Sequence, residues 1–285
     1  GLQVEIKVEK QLNMSGKKDI EEYGIKEFNQ KCKESVFTYT DMWREMTERM
    51  GYLVDLDDPY ITLEDNYIES GWWILKKFFD EGLIYEGHKI LPYCPRCGTA
   101  LSSHEVAQGY TDVKEESAIA KFKVADQENT YFLAWTTTPW TLPSNVILSV
   151  NAKETYAKAK YEDYYVIMAE ALMESVLGEG NYEVVERMKG GDLEYVKYEP
   201  LFDFQPNGED FKGYFMTCDD YVTLTDGTGI VHTAYAYGED DYRVCKKYGV
   251  TFYQNVDTNG HLNELAGPFK GLFVKDADPV VLKYM

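Results

Sequence analysis

An apolar run, Tyr-Phe-Leu-Ala at 131–134, passes without a break into Trp-Thr-Thr-Thr-Pro-Trp-Thr-Leu-Pro-Ser-Asn at 135–145. No other stretch limits the possible fold so tightly. Proline brings no N–H to a central ladder, so Pro139 and Pro143 must end a strand and fix the loop that follows it. That loop holds four threonines, two indoles and a carboxamide. Side-chain hydroxyls on a rigid loop suit a polyhydroxylated ligand such as a ribose. The competing reading is a threonine-rich strand followed by a proline turn, with no ligand at all.

Residues 1–85 read as mostly helical. Phe28, Cys32, Val36, Tyr39, Trp43, Met46 and Met50 recur at intervals of three and four, which predicts one apolar stripe on a long helix stopped near Gly51. Thr62 and Asp65 form a capping pair ahead of Ile68, Trp72, Leu75 and Phe79, on a second helix ending near Gly82. Both aromatic stripes are expected to be core. From about Val113 the pattern changes to period two. Segments 118–124, 156–161, 164–168, 182–186 and 229–232 read as strands, with a short helix over 169–177. The expected class is α+β: a β-barrel-like domain with helical insertions at 110–285, preceded at 1–109 by a helical segment carrying half a zinc ribbon.

Bulk properties exclude several functions. No apolar run reaches the ~18 residues of a membrane span, and the opening Gly-Leu-Gln-Val-Glu lacks the basic and apolar regions of an export signal. Five cysteines with one close pair do not make a disulfide framework, so a reducing cytoplasm is expected. With 29 basic against 49 acidic residues and a net charge of -20, the chain is no free-standing nucleic-acid binder. Only the tip of a nucleic acid could enter a local pocket, its body being held elsewhere.

Chemistry-bearing residues fall in two further segments. In Glu239-Asp240-Asp241 the acids suit the first turn of the helix continuing to Tyr248, and that capping role is the plain reading. His232 ends the 229–232 segment, where a histidine is ordinarily a hydrogen-bonded structural residue. Cys94-Pro95-Arg96-Cys97-Gly98 has the spacing of a zinc knuckle, two thiolates gripping one side of a tetrahedral ion. A redox pair is the competitor, but no thioredoxin-like βαβ pattern surrounds it. Two more ligands are needed, and His88 or His104 could substitute.

Taken together, the string at 135–145, Asp-Gly-Thr-Gly-Ile-Val-His-Thr-Ala-Tyr-Ala-Tyr-Gly-Glu-Asp-Asp-Tyr at 226–242 and Tyr-Cys-Pro-Arg-Cys-Gly at 93–98 resemble three motifs of isoleucyl-tRNA synthetases. These are the threonine-rich peptide, the second editing-site motif and the zinc knuckle with the segment after it. The likeness extends more diffusely from Gly1 to Asp278. It implies an editing region that hydrolyses valyl-tRNA(Ile), with Thr137, Thr138, His232 and Asp241 at the reacting ester. Thr136, Trp140 and Asn145 would bind the terminal nucleotide. Asp241 would pair with the α-ammonium of the misacylated amino acid, and His232 would wall the amino-acid pocket without being assigned as general base. Cys94 and Cys97 would form half of a zinc site, the other cysteine pair lying beyond Met285. Editing itself requires no cofactor, and ATP and magnesium belong to the parent enzyme. The chain lacks the family's two ATP-site motifs and an initiator Met, so a piece of a larger synthetase is expected, monomeric by itself. Its partners would be the rest of that chain and the tRNA(Ile) 3′ end carrying valine, with no membrane. Valyl- and leucyl-tRNA synthetases resemble it less, because their threonine-rich peptides carry Arg where Pro139 stands. One departure bears on pocket shape: Tyr235 and Tyr237 stand where the family has Pro and Phe, which removes a φ constraint beside the site. Alternatives are a binding module that holds the tRNA end without cleaving it, and a zinc-dependent structural module.

Overall fold

The computed structural model describes residues 2–206 and 208–285. The chain divides into two compact units, Gly1–Lys89 and Ile90–Met285. The change of hydropathy pattern expected near Gly109 lies inside the second unit.

The first unit contains α1 (Leu2–Leu12), α2 (Lys17–Tyr23), α3 (Ile25–Phe37), α4 (Thr40–Arg49) and α5 (Asp65–Asp80). Val8, Ile20 and Phe28 form its small buried cluster, with Val4, Leu12, Met14 and Cys32 packed against it. The stripe expected on one long helix is split between α3 and α4, with the break at Thr38 and Tyr39. Nor is most of it core. Val36, Tyr39, Trp43, Met46 and Met50 are exposed, as are Ile68, Trp72, Leu75 and Phe79 on α5. Periodicity shows that a face is apolar; it does not say which segment covers it. The cap of α5 also differs, being Glu64 without a side-chain hydrogen bond.

The second unit opens with a hairpin of β1 (Tyr93–Cys94) and β2 (Thr99–Ala100), followed by α6 (Ser103–Ala107). Then come β3 (Ala118–Lys123), β4 (Thr130–Thr136), β5 (Ile147–Val150), β6 (Thr155–Tyr161), β7 (Tyr164–Ala169), α7 (Met173–Leu177), β8 (Tyr182–Lys189), β9 (Met216–Cys218) and β10 (Val231–Thr233). The chain ends in α8 (Glu239–Tyr248) and α9 (Val274–Tyr284). Eight strands make one mixed sheet in the order β8-β6-β7-β4-β10-β5-β9, with β3 paired to β4 off that path.

Alternation explains how the sheet buries two layers. Along β3, Ala120 and Phe122 point inward while Lys121 and Lys123 point out. Phe132 and Ala134 of β4 join them in the largest core, together with Leu148, Tyr156, Ile167 and Met216. Residues one position away, Leu133, Ala157, Val166 and Met168, face a second cluster capped by Met173 and Leu177 of α7. Strand β4 is thus buried on both faces, as a central strand with parallel neighbours requires. Among the described residues no helix is long and apolar enough to cross a membrane.

Candidate active site

Two parallel strands set the site. β10 lies beside β4 with Val231 opposite Trp135, so both strands leave the sheet at the same end. From β4 the chain enters Thr137, Thr138 and a 3-10 turn at Pro139–Ser144. From β10 it enters residues 234–238 and then α8. Loops at the carboxyl ends of neighbouring parallel strands are where α/β sheets place ligands.

The proline turn is held from outside itself. Pro139 stands at its first position, where a missing N–H is harmless. The Trp140 N–H donates to Asp278 Oδ1 on α9 at 2.8 Å. Buried Gln205 donates from Nε2 towards the carbonyls of Leu142, Pro143 and Asn145 at 3.4, 3.1 and 3.2 Å. Ser144 donates to Asn255 Oδ1, which also accepts from the Tyr237 hydroxyl at 2.8 Å. The Trp140 ring meets Tyr237 edge-on with 5.1 Å between centroids. The indole is therefore a packed wall of the turn.

Inside this frame runs a line of hydroxyls. Thr136 Oγ1 accepts from the Thr138 N–H at 3.1 Å and lies 3.4 Å from Thr138 Oγ1. Thr138 Oγ1 is 3.3 Å from Thr141 Oγ1, and Thr141 donates its proton to the Thr138 carbonyl at 2.8 Å. Thr141 Oγ1 then meets His232 Nε2 at 2.7 Å. Thr136 is buried, Thr138 half-buried and Thr137 exposed at the strand end. Period two accounts for this: one hydroxyl of the three is turned away from the other two.

His232 is buried and has a protein partner on each nitrogen. Its Nδ1 faces Asn145 Nδ2 at 3.2 Å. That amide nitrogen also donates to the Ile147 carbonyl at 3.0 Å, and Asn145 Oδ1 accepts from the Tyr198 hydroxyl at 2.6 Å. Only a donor can face the Ile147 carbonyl, so the amide is oriented with its N–H towards Nδ1. An Nδ1 that accepts leaves the proton on Nε2, directed at Thr141. Burial pushes the imidazole down to about 4, which keeps it neutral. Asn145 is itself fully buried, with carbonyl and amide both engaged.

Asp241 sits in the first turn of α8. Its Oδ1 accepts from the Ala234 N–H, two residues beyond His232, at 2.7 Å. The other oxygen lies against the Cα of Gly238: a Cβ there would stand 2.1 Å from Oδ2, so only glycine admits the carboxylate. Desolvation raises Asp241 to about 6 in spite of that backbone donor. Its neighbours differ. Asp240 binds Arg243 at 2.9 Å on the surface, and Glu239 is exposed. Tyr235 turns away from the site into a cluster with Val244, Cys245 and Tyr253, and stacks edge-on against Phe252 at 5.1 Å. Tyr235 therefore anchors its loop by packing.

Thr136, Thr138, Asn145 and His232 are thus brought into one hydrogen-bonded network. Trp140 braces it, Asp241 closes on the same loop, and Thr137 is exposed at the same end. Thr141, Tyr198, Gln205, Asn255 and Asp278 were not anticipated. Thr141 lay inside the string already singled out, and Asp278 in the weaker tail of the likeness. Nothing in the sequence marks Tyr198 or Gln205, which come from segments with no motif.

Cys94 and Cys97 form a tight knuckle in which the Cys97 N–H points at Cys94 Sγ at 3.4 Å, and that hydrogen bond lowers the Cys94 thiol. Among the described residues no group of three or more His, Cys, Asp or Glu side chains is placed to hold a metal ion.

The family described as "tRNA synthetases class I (I, L, M and V)" matches residues 1–249. The chain is 53% identical over 285 residues to isoleucine–tRNA ligase of Clostridium kluyveri, covering all of this chain and 27% of that protein. It is 54% identical to the enzymes of Clostridium acetobutylicum and Bacillus thuringiensis, with the same coverage. The chain spans about a quarter of the length of these relatives, at 27%. Among solved structures it is similar to GlLeuRS-CP1, with a TM-score of 0.48 and 16% identity over 59% of this chain and 94% of that one. A P. knowlesi cytosolic leucyl-tRNA synthetase editing domain gives 0.44 and 14% over 62% and 95%.

Proposed function

The chain belongs to the class I tRNA synthetases of the isoleucine, leucine, methionine and valine group, and we propose that it is the editing region of an isoleucine–tRNA ligase, hydrolysing valyl-tRNA(Ile). Such a site answers a physical limit. One methylene is worth only about 1–3 kcal/mol in a hydrophobic pocket, and isoleucine–tRNA ligase is itself the standard illustration of it. A second site that admits valine and excludes isoleucine removes the errors.

One observation carries this reading: the hydroxyl line and the Asp241 carboxylate leave the sheet at the same end of two adjacent parallel strands. The terminal ribose would meet the half-buried Thr138 and the exposed Thr137. Ionised Asp241 would pair with the α-ammonium, which is cationic in a bound aminoacyl ester. His232, neutral and satisfied at both nitrogens, would form the pocket wall and hold Thr141. Water activation would then fall to the substrate's own ribose hydroxyl.

Residues 110–285 would carry this activity. Cys94 and Cys97 would hold one side of a tetrahedral zinc ion: their knuckle fits thiolate binding but supplies two donors of four. The bound ion would fix the hairpin, a structural contribution. ATP and magnesium would be used by the whole enzyme, in the cytoplasm, with the tRNA body held by the rest of the synthetase.

The purified chain incubated with valyl-tRNA(Ile) and with isoleucyl-tRNA(Ile) tests the proposal. The valyl ester should be lost selectively, and Asp241→Ala should abolish that loss. Equal, slow loss of both esters would overturn it.

A further inference from the structure

We propose that Asn255 is a positioning residue of this site, tying the proline turn to the loop at 234–238. It thereby sets the spacing between the threonine hydroxyls and the Asp241 carboxylate. The proposal rests on the editing reading for the ligand it serves, but not for its geometry.

The two loops leave adjacent strands, and the Thr141–His232 pair joins them at the strand ends. Beyond His232 the link passes through a third segment. Fully buried Asn255 accepts at Oδ1 from Ser144, the last residue of the turn, and from the Tyr237 hydroxyl at 2.8 Å. Its backbone N–H donates back to the Tyr237 oxygen at 3.0 Å. The phenol thus gives one hydrogen bond and receives one, both from the same residue. Asn255 is itself held: its carbonyl accepts from the Asn263 N–H at 2.8 Å, and Val256 bridges Leu262 of the main core. The junction is kept at a cost, because Asn255 Nδ2 is buried with no protein partner among the described residues.

Tyr237 carries this fastening on to the acid. Gly238 follows it directly, and Asp241 Oδ2 packs against the Gly238 Cα. The Tyr237 N–H closes the loop on the Ala234 carbonyl at 3.1 Å, and the Ala234 N–H binds Asp241 Oδ1. A shift of the phenol therefore shifts both supports of the carboxylate. On the other arm, Ser144 ends the turn that holds Thr141 beside Thr138. A ligand gripped by hydroxyls at one point and by a carboxylate at another binds best when that spacing is preset, since less freedom is lost on binding.

Tyr237→Phe and Ser144→Ala test the proposal by amide hydrogen exchange and valyl-tRNA(Ile) hydrolysis. Each should loosen the loop opposite to it, with β6 and β8 unchanged. Tyr237→Phe should quicken exchange of the Asn145 N–H, and Ser144→Ala that of the Tyr237 N–H, on the order of tenfold. KM for the valyl ester should rise on the order of tenfold with kcat changed less than about threefold, and the double variant should lose little more than either alone. Merely structural hydroxyls would loosen only their own loops and act additively. Exchange confined to the altered loop, or additive losses in KM, overturns the proposal. In wild type the Asn255 N–H should be as protected as the amides of β6, and rapid exchange there overturns it even where neither variant folds. Failure of wild type to cleave the ester would instead overturn the editing reading, leaving the exchange result to stand separately.

Discussion

At the scale of single residues, the site holds two ionisable groups, buried His232 and part-buried Asp241, pushed towards neutrality in opposite directions. His232 is depressed to about 4, so its contribution to stability is present above the unfolded value near 6.5 and is lost as pH falls towards 4. Asp241 is raised to about 6, so its contribution is complete below about 3.9 and is lost as pH rises through 6. A shift of this size corresponds to roughly 2–3 kcal/mol. Asp241→Asn keeps an acceptor for the Ala234 N–H but cannot ionise. Urea unfolding should therefore show wild type losing that stability relative to Asp241→Asn between pH 4 and pH 7.5. The kcat/KM of ester hydrolysis should have an acid limb near pH 6, because the free carboxyl must ionise to meet an ammonium. A limb near pH 4 would show that Asp241 is already ionised in the free protein. The motif marked Asp241 by type. Its desolvation was not legible, since burial comes from Gly238 and from the fold around them.

At the scale of elements, the 3-10 turn at Pro139–Ser144 is the part whose shape the function needs. Its prolines were legible as breakers, and its threonines as polar groups. What keeps it in place is supplied by distant segments, Asp278 on α9 and the isolated Gln205. Asp278→Ala should leave the Trp140 N–H without an acceptor and cost about 1–2 kcal/mol. Hydrogen exchange should then quicken across the turn while β6 and β8 keep their protection, and KM for the valyl ester should rise. Unchanged exchange at the turn would mean that Gln205 and packing hold it without α9. Period two holds on β3 and broadly on β8, which have one wet face and one drier face, but not on β4, β5 and β7, which the sheet buries on both faces. Helical stripes misled, because α3, α4 and α5 leave their apolar faces open.

At the scale of the whole molecule, the two units differ in kind. The three larger apolar clusters all lie within residues 90–285, whereas residues 1–89 bury one small cluster and expose Trp43, Trp72, Trp73 and Phe79. A chain of residues 90–285 should therefore unfold cooperatively by itself, with sheet-type circular dichroism. The full chain should bind a hydrophobic dye much more strongly than that piece does, as exposed apolar surface demands. Non-cooperative melting of 90–285 would show that its clusters do not suffice.

Sequence alone determined the class of structure, the family, the break after β4 and the residue types at the site, since these depend on local sterics, hydropathy period and motif. Tertiary structure alone decided which hydroxyl is exposed, which nitrogen of His232 carries its proton, and that Asn145 serves the imidazole. Those outcomes depend on donors and acceptors that meet only when segments far apart in the chain fold against each other, and Tyr198, which no motif announces, is one of them.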